Sequence, residues 1–307
     1  MNWVDERIEW EADGKPIKIG LTRFGTGPAI LLLPGLSSIS TRMEMWPLQE
    51  RLGATFSTVA IDWPGFGDIA RPMVDWRPDL HRAFLRFLLG GIVRPKVTIA
   101  AGHGAGYALA QAADDPASTG RLCLLSPTWR GPLPTMTGRR MALFRGLSKM
   151  VDLPVIGRGF YRLNVNGPVI GMMVRGHVYS DPAWLTPTRM ATKRAVTEAP
   201  GVRFASFRFV AGELDPFRDR GDFLGAASRA GAILCFHGRK APRKTKAEIE
   251  ALGSLPNVTA IELPDGKLNF YEEFPDEAVA AINERLGPVE ALIGKGAEHS
   301  PEKQTFS

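Results

Sequence analysis

With 307 residues, 44% of them hydrophobic and 23% charged, the chain has the proportions of an ordinary globular protein with ample core. Its 38 Lys and Arg against 32 Asp and Glu leave a net charge of +6, and its two cysteines are too few for a disulfide framework. The longest apolar run, Ala29–Leu33, is far too short to cross a bilayer, and the start Met1–Arg7 is polar and acidic, unlike a secretory leader. Cys123 and Cys235 fall inside apolar strand candidates and read as buried thiols, so a cytoplasmic location is expected.

In chain order, Arg7–Glu11 and Ile17–Leu21 alternate around Asp13-Gly14, a hairpin signal. Short apolar runs follow at Ala29–Leu33, Thr58–Ile61, Val97–Ala101, Leu122–Leu125, Ala232–Phe236 and Val258–Leu263. Between them lie helical patterns at Thr41–Leu52, Pro78–Leu89, Lys244–Leu252 and Glu272–Leu286. Apolar runs bounded by turns, with helices between, indicate an α/β fold with a mostly parallel sheet wound by crossovers. Residues 288–307 are small and polar and read as a flexible tail.

The densest motif is Gly102-His103-Gly104-Ala105-Gly106, between the strand candidate 96–101 and the helix candidate 107–113. A dinucleotide fingerprint is disfavoured, because the second gap is one residue short and the next strand, Leu122–Ser126, ends without an acid. The setting is instead that of a G-x-S-x-G nucleophile elbow with Gly104 at its centre. Glycine there lacks any nucleophilic atom and relieves the strain expected of an elbow's central residue.

Taken with Leu33-Pro34-Gly35-Leu36 and Asp62-Trp63-Pro64-Gly65-Phe66-Gly67, this order of motifs resembles the α/β-hydrolase superfamily over residues 15–127 and 230–287. The resemblance implies an eight-stranded, mostly parallel sheet flanked by helices. It divides the chain into a core of residues 1–127 and 230–287 and an inserted, mainly helical cap of residues 128–229. It also locates a catalytic acid and base. The acid position in Gly238-Arg239-Lys240-Ala241-Pro242 holds Ala241, and the histidine position before Glu272-Glu273-Phe274-Pro275 holds Leu268. With Gly104, Ala241 and Leu268 at the three triad positions, the reading is of a triad-less, non-catalytic member, similar to poorly characterised relatives of plants and cyanobacteria. Such a protein is expected to bind a small ligand, lipid or protein partner in a pocket between core and cap. An oxyanion hole made of backbone N–H groups survives on this reading at Leu36 and Ala105, with Ser37, His103 and Gly104 beside it.

A rival alignment takes Gly212-Glu213-Leu214-Asp215-Pro216, after the strand-like Phe204–Val210, as the acid motif. Asp215 would then be the acid and His237 the base, with His103 a further candidate for an enzyme of altered chemistry: lyase, isomerase or unorthodox hydrolase. Otherwise Asp215 reads as a turn or N-cap residue before a helix 217–230, and His237 as a strand-end residue. No cofactor or metal is expected. From Arg130 to Arg208 there are thirteen basic and three acidic residues, a net +10. Arg139, Arg140, Arg145 and Lys149, interleaved with Met141, Phe144, Leu147 and Met150, suit an anionic membrane surface, alone or as part of an assembly, against the plainer reading of a solvated cap face. Nucleic acid is disfavoured, since no binding motif is present.

Overall fold

Asp13 and Gly14, at φ +50° and +74°, close a two-residue turn between β1 (Val4–Ala12) and β2 (Lys15–Phe24). That twist matches the right-handed twist of the two flanking strands, which pair antiparallel from Val4↔Arg23 to Ala12↔Lys15. The remaining strands are β3 (Ala29–Leu33), β4 (Ser57–Ile61), β5 (Val97–Ala101), β6 (Arg121–Leu125), β7 (Ile233–Gly238) and β8 (Val258–Leu263). In this computed structural model, which describes residues 3–288, they form one eight-stranded sheet in the order β1-β2-β4-β3-β5-β6-β7-β8. All pairings from β4 to β8 are parallel, and β2 joins β4 antiparallel. Past its first residue, the tail expected from residue 288 lies outside the described residues.

Helices cover both faces of the sheet, which explains why its central strands are apolar at nearly every position. The helices in order are α1 (Trp46–Leu52), α2 (Pro78–Phe87), α3 (Gly102–Asp114), α4 (Pro116–Thr119), α5 (Pro132–Thr137), α6 (Ala142–Asp152), α7 (Ile156–Asn164) and α8 (Gly167–Met173). They continue as α9 (Pro187–Glu198), α10 (Val202–Ala211), α11 (Arg220–Arg229), α12 (Arg243–Gly253), α13 (Phe270–Glu273) and α14 (Pro275–Leu286). Side chains alternate across the sheet. Leu31, Leu33, Val59 and Ile61 join Phe84, Leu109, Phe223 and Leu252 on one face; Ile30, Leu32 and Ala60 join Leu48, Val279 and Ile282 on the other. Cys123 and Cys235 are buried and unpaired, and burial pushes both thiols up to about 12.

Between β6 and β7 the chain leaves the sheet. Helices α6, α7 and α10 enclose a small core of their own with Phe144, Val151, Tyr161, Val202, Phe207 and Ala211. Helix α11 lies instead against α3. Residues 204–210, strand-like by composition, are helical. Gly201 and Gly212, at φ +79° and +78°, cap α10 at its two ends, and Phe204, Phe207, Arg208 and Ala211 recur on its buried side. The proposed docking stripe also changes. Phe144 is buried and Leu147 partly so, and Arg140, though exposed, has its guanidinium paired with buried Asp215, leaving Arg139, Arg145, Lys149 and the exposed Leu143 free of that contact. Among the described residues no helix is long and apolar enough to cross a membrane.

One buried cation organises the sheet's first loops. The Arg42 guanidinium donates to Asp62 at 2.7 Å, Asp68 at 2.8 Å and Asp5 at 2.8 Å, and the Arg42 N–H also donates to Asp62. A Cβ on Gly67 (φ +87°) would lie 2.5 Å from the Asp62 carboxyl carbon, so the motif's glycine is what lets the loop fold over its aspartate. Burial raises the Asp62 carboxyl to about 6 even with Arg42 opposing the shift. Arg42→Met leaves that carboxylate buried without its cation and is expected to cost about 3–5 kcal/mol, read as a lower urea midpoint at neutral pH. A loss within about 1 kcal/mol would place the strength of this loop elsewhere.

Candidate functional site

Strand β5 ends at Ala101 and α3 begins at the next residue, so the turn between them is sharp. Its apex is Gly102, at φ +50°, where a side chain would be strained. The sequence pattern puts the apex at Gly104. The structure moves it two residues earlier, and Gly104 has ordinary helical backbone, so relief of strain is not why it is glycine. Space is the reason instead. A Cβ on Gly104 would overlap the Pro34 carbonyl oxygen and lie 2.9 Å from Trp63 Nε1, which itself donates to that carbonyl at 2.8 Å. Trp63 is fully buried and packs on Tyr107 with ring centroids 5.4 Å apart. A Cβ on Gly102 would meet only the Gly35 Cα, at 3.7 Å. Neither glycine carries a group that can attack a substrate.

The loops after β7 and β8 lie side by side, with Lys240 N–H donating to the Gly266 carbonyl at 3.0 Å. Ala241 is buried in the first, its N–H bonded to the Gly238 carbonyl. Leu268 stands in the second, its N–H bonded to the His177 carbonyl of the excursion. Neither side chain can take or give a proton. Leu36 packs into the core, Ala105 is fully buried, and the Ser37 hydroxyl accepts from the Ile39 N–H at 3.4 Å. With the apex at Gly102, the residue that follows it is His103 rather than Ala105.

His103 and Asp215 do meet. The His103 Nε2 is 3.6 Å from an Asp215 oxygen and 2.9 Å from the Leu214 carbonyl, to which the Tyr107 hydroxyl also donates. Both side chains are buried, which lowers the His103 pKa and raises that of Asp215; each charge partly offsets the shift in the other. The Asp215 carboxylate is already occupied, accepting from the Gly131 N–H at 2.7 Å and from Arg140 at 2.7 Å. Arg140 also donates to the carbonyls of Phe217 and Arg218. This cluster pins the start and end of the excursion onto α3. Asp215 therefore does not cap the next helix; Asp219 does, accepting from the Asp222 N–H at 2.9 Å. His237 touches neither His103 nor Asp215: its ring lies 3.3 Å from the Gly238 carbonyl and 4.0 Å from Glu262.

Two polar clusters escape sequence reasoning, because residues far apart in the chain build them. In the first, buried Lys193 of α9 bonds Glu44 at 2.5 Å and Glu272 at 3.2 Å, and Tyr179 donates to Glu272 at 2.5 Å. Burial raises the Glu44 carboxyl to about 7 even with Lys193 opposing the shift, while the two carboxylates raise the lysine against its own burial. The second contains Arg71, Tyr161 and Ser206, all buried. Arg71 Nη2 donates to the Gly67 carbonyl, whereas its Nε and Nη1 have no hydrogen-bond partner, and the Tyr161 and Ser206 hydroxyls face each other without a close hydrogen bond. Beside it, a cavity of about 560 Å³ opens within the excursion, lined by Tyr161 and by Arg158, Arg162, Arg194 and Arg203. A second, of about 550 Å³, lies where α2, α3 and α11 meet. None of Leu36, Ser37, His103, Gly104 and Ala105 lines either cavity.

Gly104→Ala is expected to lower stability by about 1–3 kcal/mol through overpacking. The cost should shrink in a Trp63→Phe background, which removes the Nε1 atom; strictly additive denaturation energies would show that the indole is not what excludes the side chain. Glu44 sets a pH dependence. Its folded pKa lies above the ordinary 4.5, so the stability it contributes is complete below about pH 4.5 and is lost as pH rises through about 7. Against a Glu44→Gln reference, the wild type should lose on the order of 1–3 kcal/mol across that window; parallel profiles for the two proteins would contradict the assignment.

Residues 30–282 match the alpha/beta hydrolase family. Compared with curated proteins, the chain finds no match. Among solved structures, the haloalkane dehalogenase DatA from Agrobacterium tumefaciens C58 is similar at TM-score 0.69 and 14% identity, covering 93% of this chain and 97% of that one. A thermophilic esterase from Thermogutta terrifontis is similar at TM-score 0.67 and 20% identity, covering 92% and 98%. A loop variant of the haloalkane dehalogenase DbeA from Bradyrhizobium elkanii gives TM-score 0.68 at 16% identity, covering 94% and 98%. At these identities the likeness is one of fold, and it agrees with the sheet order and the strand–turn–helix at Gly102. The chain belongs to the α/β hydrolase family.

Proposed function

We infer that this chain is a non-hydrolytic member of its family that binds a small ligand beneath the helical excursion, which acts as a cap. The observation that carries this reading is the turn after β5. The apex is Gly102, and the space at Gly104 is taken by the Pro34 carbonyl and the Trp63 indole. Acyl transfer by this fold needs a nucleophile, a base in hydrogen-bond reach and an acid to orient it. Ala241 and Leu268, at the positions the family resemblance assigns to acid and base, supply neither. An enzyme of altered chemistry would have to use His103 and Asp215, but Arg140 and the Gly131 N–H hold that carboxylate, and the Leu214 carbonyl lies on the imidazole. Those contacts support a structural joint.

Purified protein is therefore expected to leave activated esters at their background hydrolysis rate and to resist stoichiometric labelling of any serine by a fluorophosphonate. Gly102→Ser and Gly104→Ser, tested singly, should not create efficient turnover, since neither restores a base. Serine-specific labelling of the wild type, or esterase-like turnover by either variant, would overturn the reading and point to a base elsewhere, with His103 first to be tested.

A further inference from the structure

Buried polar atoms in folded proteins nearly always have partners, and a buried guanidinium needs them most. Arg42, reaching the Asp62–Gly67 motif from the segment after β3, and Arg71, four residues past that motif, contrast sharply. Arg42 meets three carboxylates, and only its Nε lacks a partner. Arg71, 6% exposed, has only the Gly67 carbonyl, with Nε and Nη1 unpartnered. The Tyr161 and Ser206 hydroxyls beside it face each other without a close hydrogen bond. Burial lowers the Arg71 pKa to about 10, with Tyr161 and then Asp62 and Asp68 opposing the shift. No carboxylate among the described residues forms an ion pair with it.

Tyr161 connects this cluster to open space. Its ring lines the cavity of about 560 Å³, and its hydroxyl end is influenced by Arg71, Ser206 and Ser38. Arg71 also holds the cavity wall from below: its N–H donates to the Pro200 carbonyl at 2.8 Å, and Pro200 lines the cavity. Around the cavity stand Arg158, Arg162, Arg194 and Arg203 against the single acid Glu198. Arg158 and Arg203 repel each other enough to lower the pKa of Arg203, which burial has already lowered. Val165, Ile170 and Val202 supply apolar wall.

We propose that this cavity and the polar cluster behind Tyr161 form one binding site for a small organic anion, a carboxylate or a phosphate, with its charged end held by Arg71, Tyr161 and Ser206. An oxyanion supplies the acceptors that the orphaned guanidinium and hydroxyl donors lack, and Arg matches its planar geometry. The apolar wall covers the rest of the molecule. This rests on the ligand-binding reading above and names the ligand's chemistry.

The test is calorimetric titration of the full-length protein with heptanoate, hexyl phosphate and hexanol, which share a hexyl chain and differ only in head group. At least one anion should bind about tenfold or more tightly than the alcohol, and the comparison of the two anions identifies the preferred head. Arg71→Met should abolish the preference, and without ligand it should melt no lower than the wild type, because an uncompensated buried charge does not stabilise. Arg71→Lys should keep a weakened preference, and Tyr161→Phe should lower affinity for the anion alone; these two variants carry the test if Arg71→Met fails to fold. Absence of saturable binding by either anion, equal binding of the alcohol, or a preference that survives loss of Arg71 would overturn the proposal. Ester turnover is a separate readout, so a failure of the non-hydrolytic reading is distinguishable from a failure of this one.

Discussion

The hydrogen bond from the Trp63 indole to the Pro34 carbonyl, closed over Gly104, is the contact on which this structure turns. It joins the loop after β3, the loop after β4 and the first turn of α3, the three segments that meet at the carboxyl end of the sheet's centre. In a parallel α/β sheet that is where strand order reverses and where ligands are ordinarily received. Here the place is packed: Trp63, Tyr107 and Phe84 form an aromatic cluster with His81, whose ring lies 3.1 Å from the Pro64 carbonyl. A side chain at Gly104 and this contact cannot occupy the same space.

Two sizeable cavities lie away from this centre. The two cavities lie within the excursion and along α2, α3 and α11, and neither reaches the turn after β5. What holds the excursion in place is buried charge. Arg140 and Asp215 fasten its ends, Lys193 with Glu44 and Glu272 fastens α9, and Glu273 accepts from the N–H groups of Ser180 and Asp181. Pairs of this kind are weak sources of net stability but costly to break singly, so they fix position more than they strengthen the fold. Arg71 is the exception, a buried cation whose guanidinium is left mostly unpaired where core and excursion meet. The difference between satisfied and orphaned arginines separates what serves the fold from what is available to a ligand.

The same logic sorts the basic residues of the excursion, which together read as one positive surface in the sequence. Arg140, Lys193 and Arg208 turn inward to carboxylates, Arg158, Arg162, Arg194 and Arg203 surround the cavity, and Arg139, Arg145 and Lys149 remain outside. Charge counted along a chain is blind to this division, because direction is set by which helix face is buried.

Local pattern was enough for the sheet and its motifs. The Asp13-Gly14 turn, the apolar runs of the central strands and the order of Pro34-Gly35, Asp62 to Gly67 and Gly102 to Gly106 are readable because each depends on residues close in sequence. The lack of any reactive side chain at Gly102 and Gly104 is equally a property of the sequence alone. Tertiary structure decided the rest. Only backbone geometry shows that the turn's apex is Gly102, since a strand's end and a helix's start shift by two residues without altering composition. Residues 204–210 become a helix because glycines bound it and two cores receive its sides, Phe207 in the helical core and Phe204 in the main one, information that aromatic and aliphatic content does not contain. The partners of Asp215, Lys193 and Arg71 come from segments tens to hundreds of residues away, and a hydrogen bond between distant segments exists only once the chain has folded.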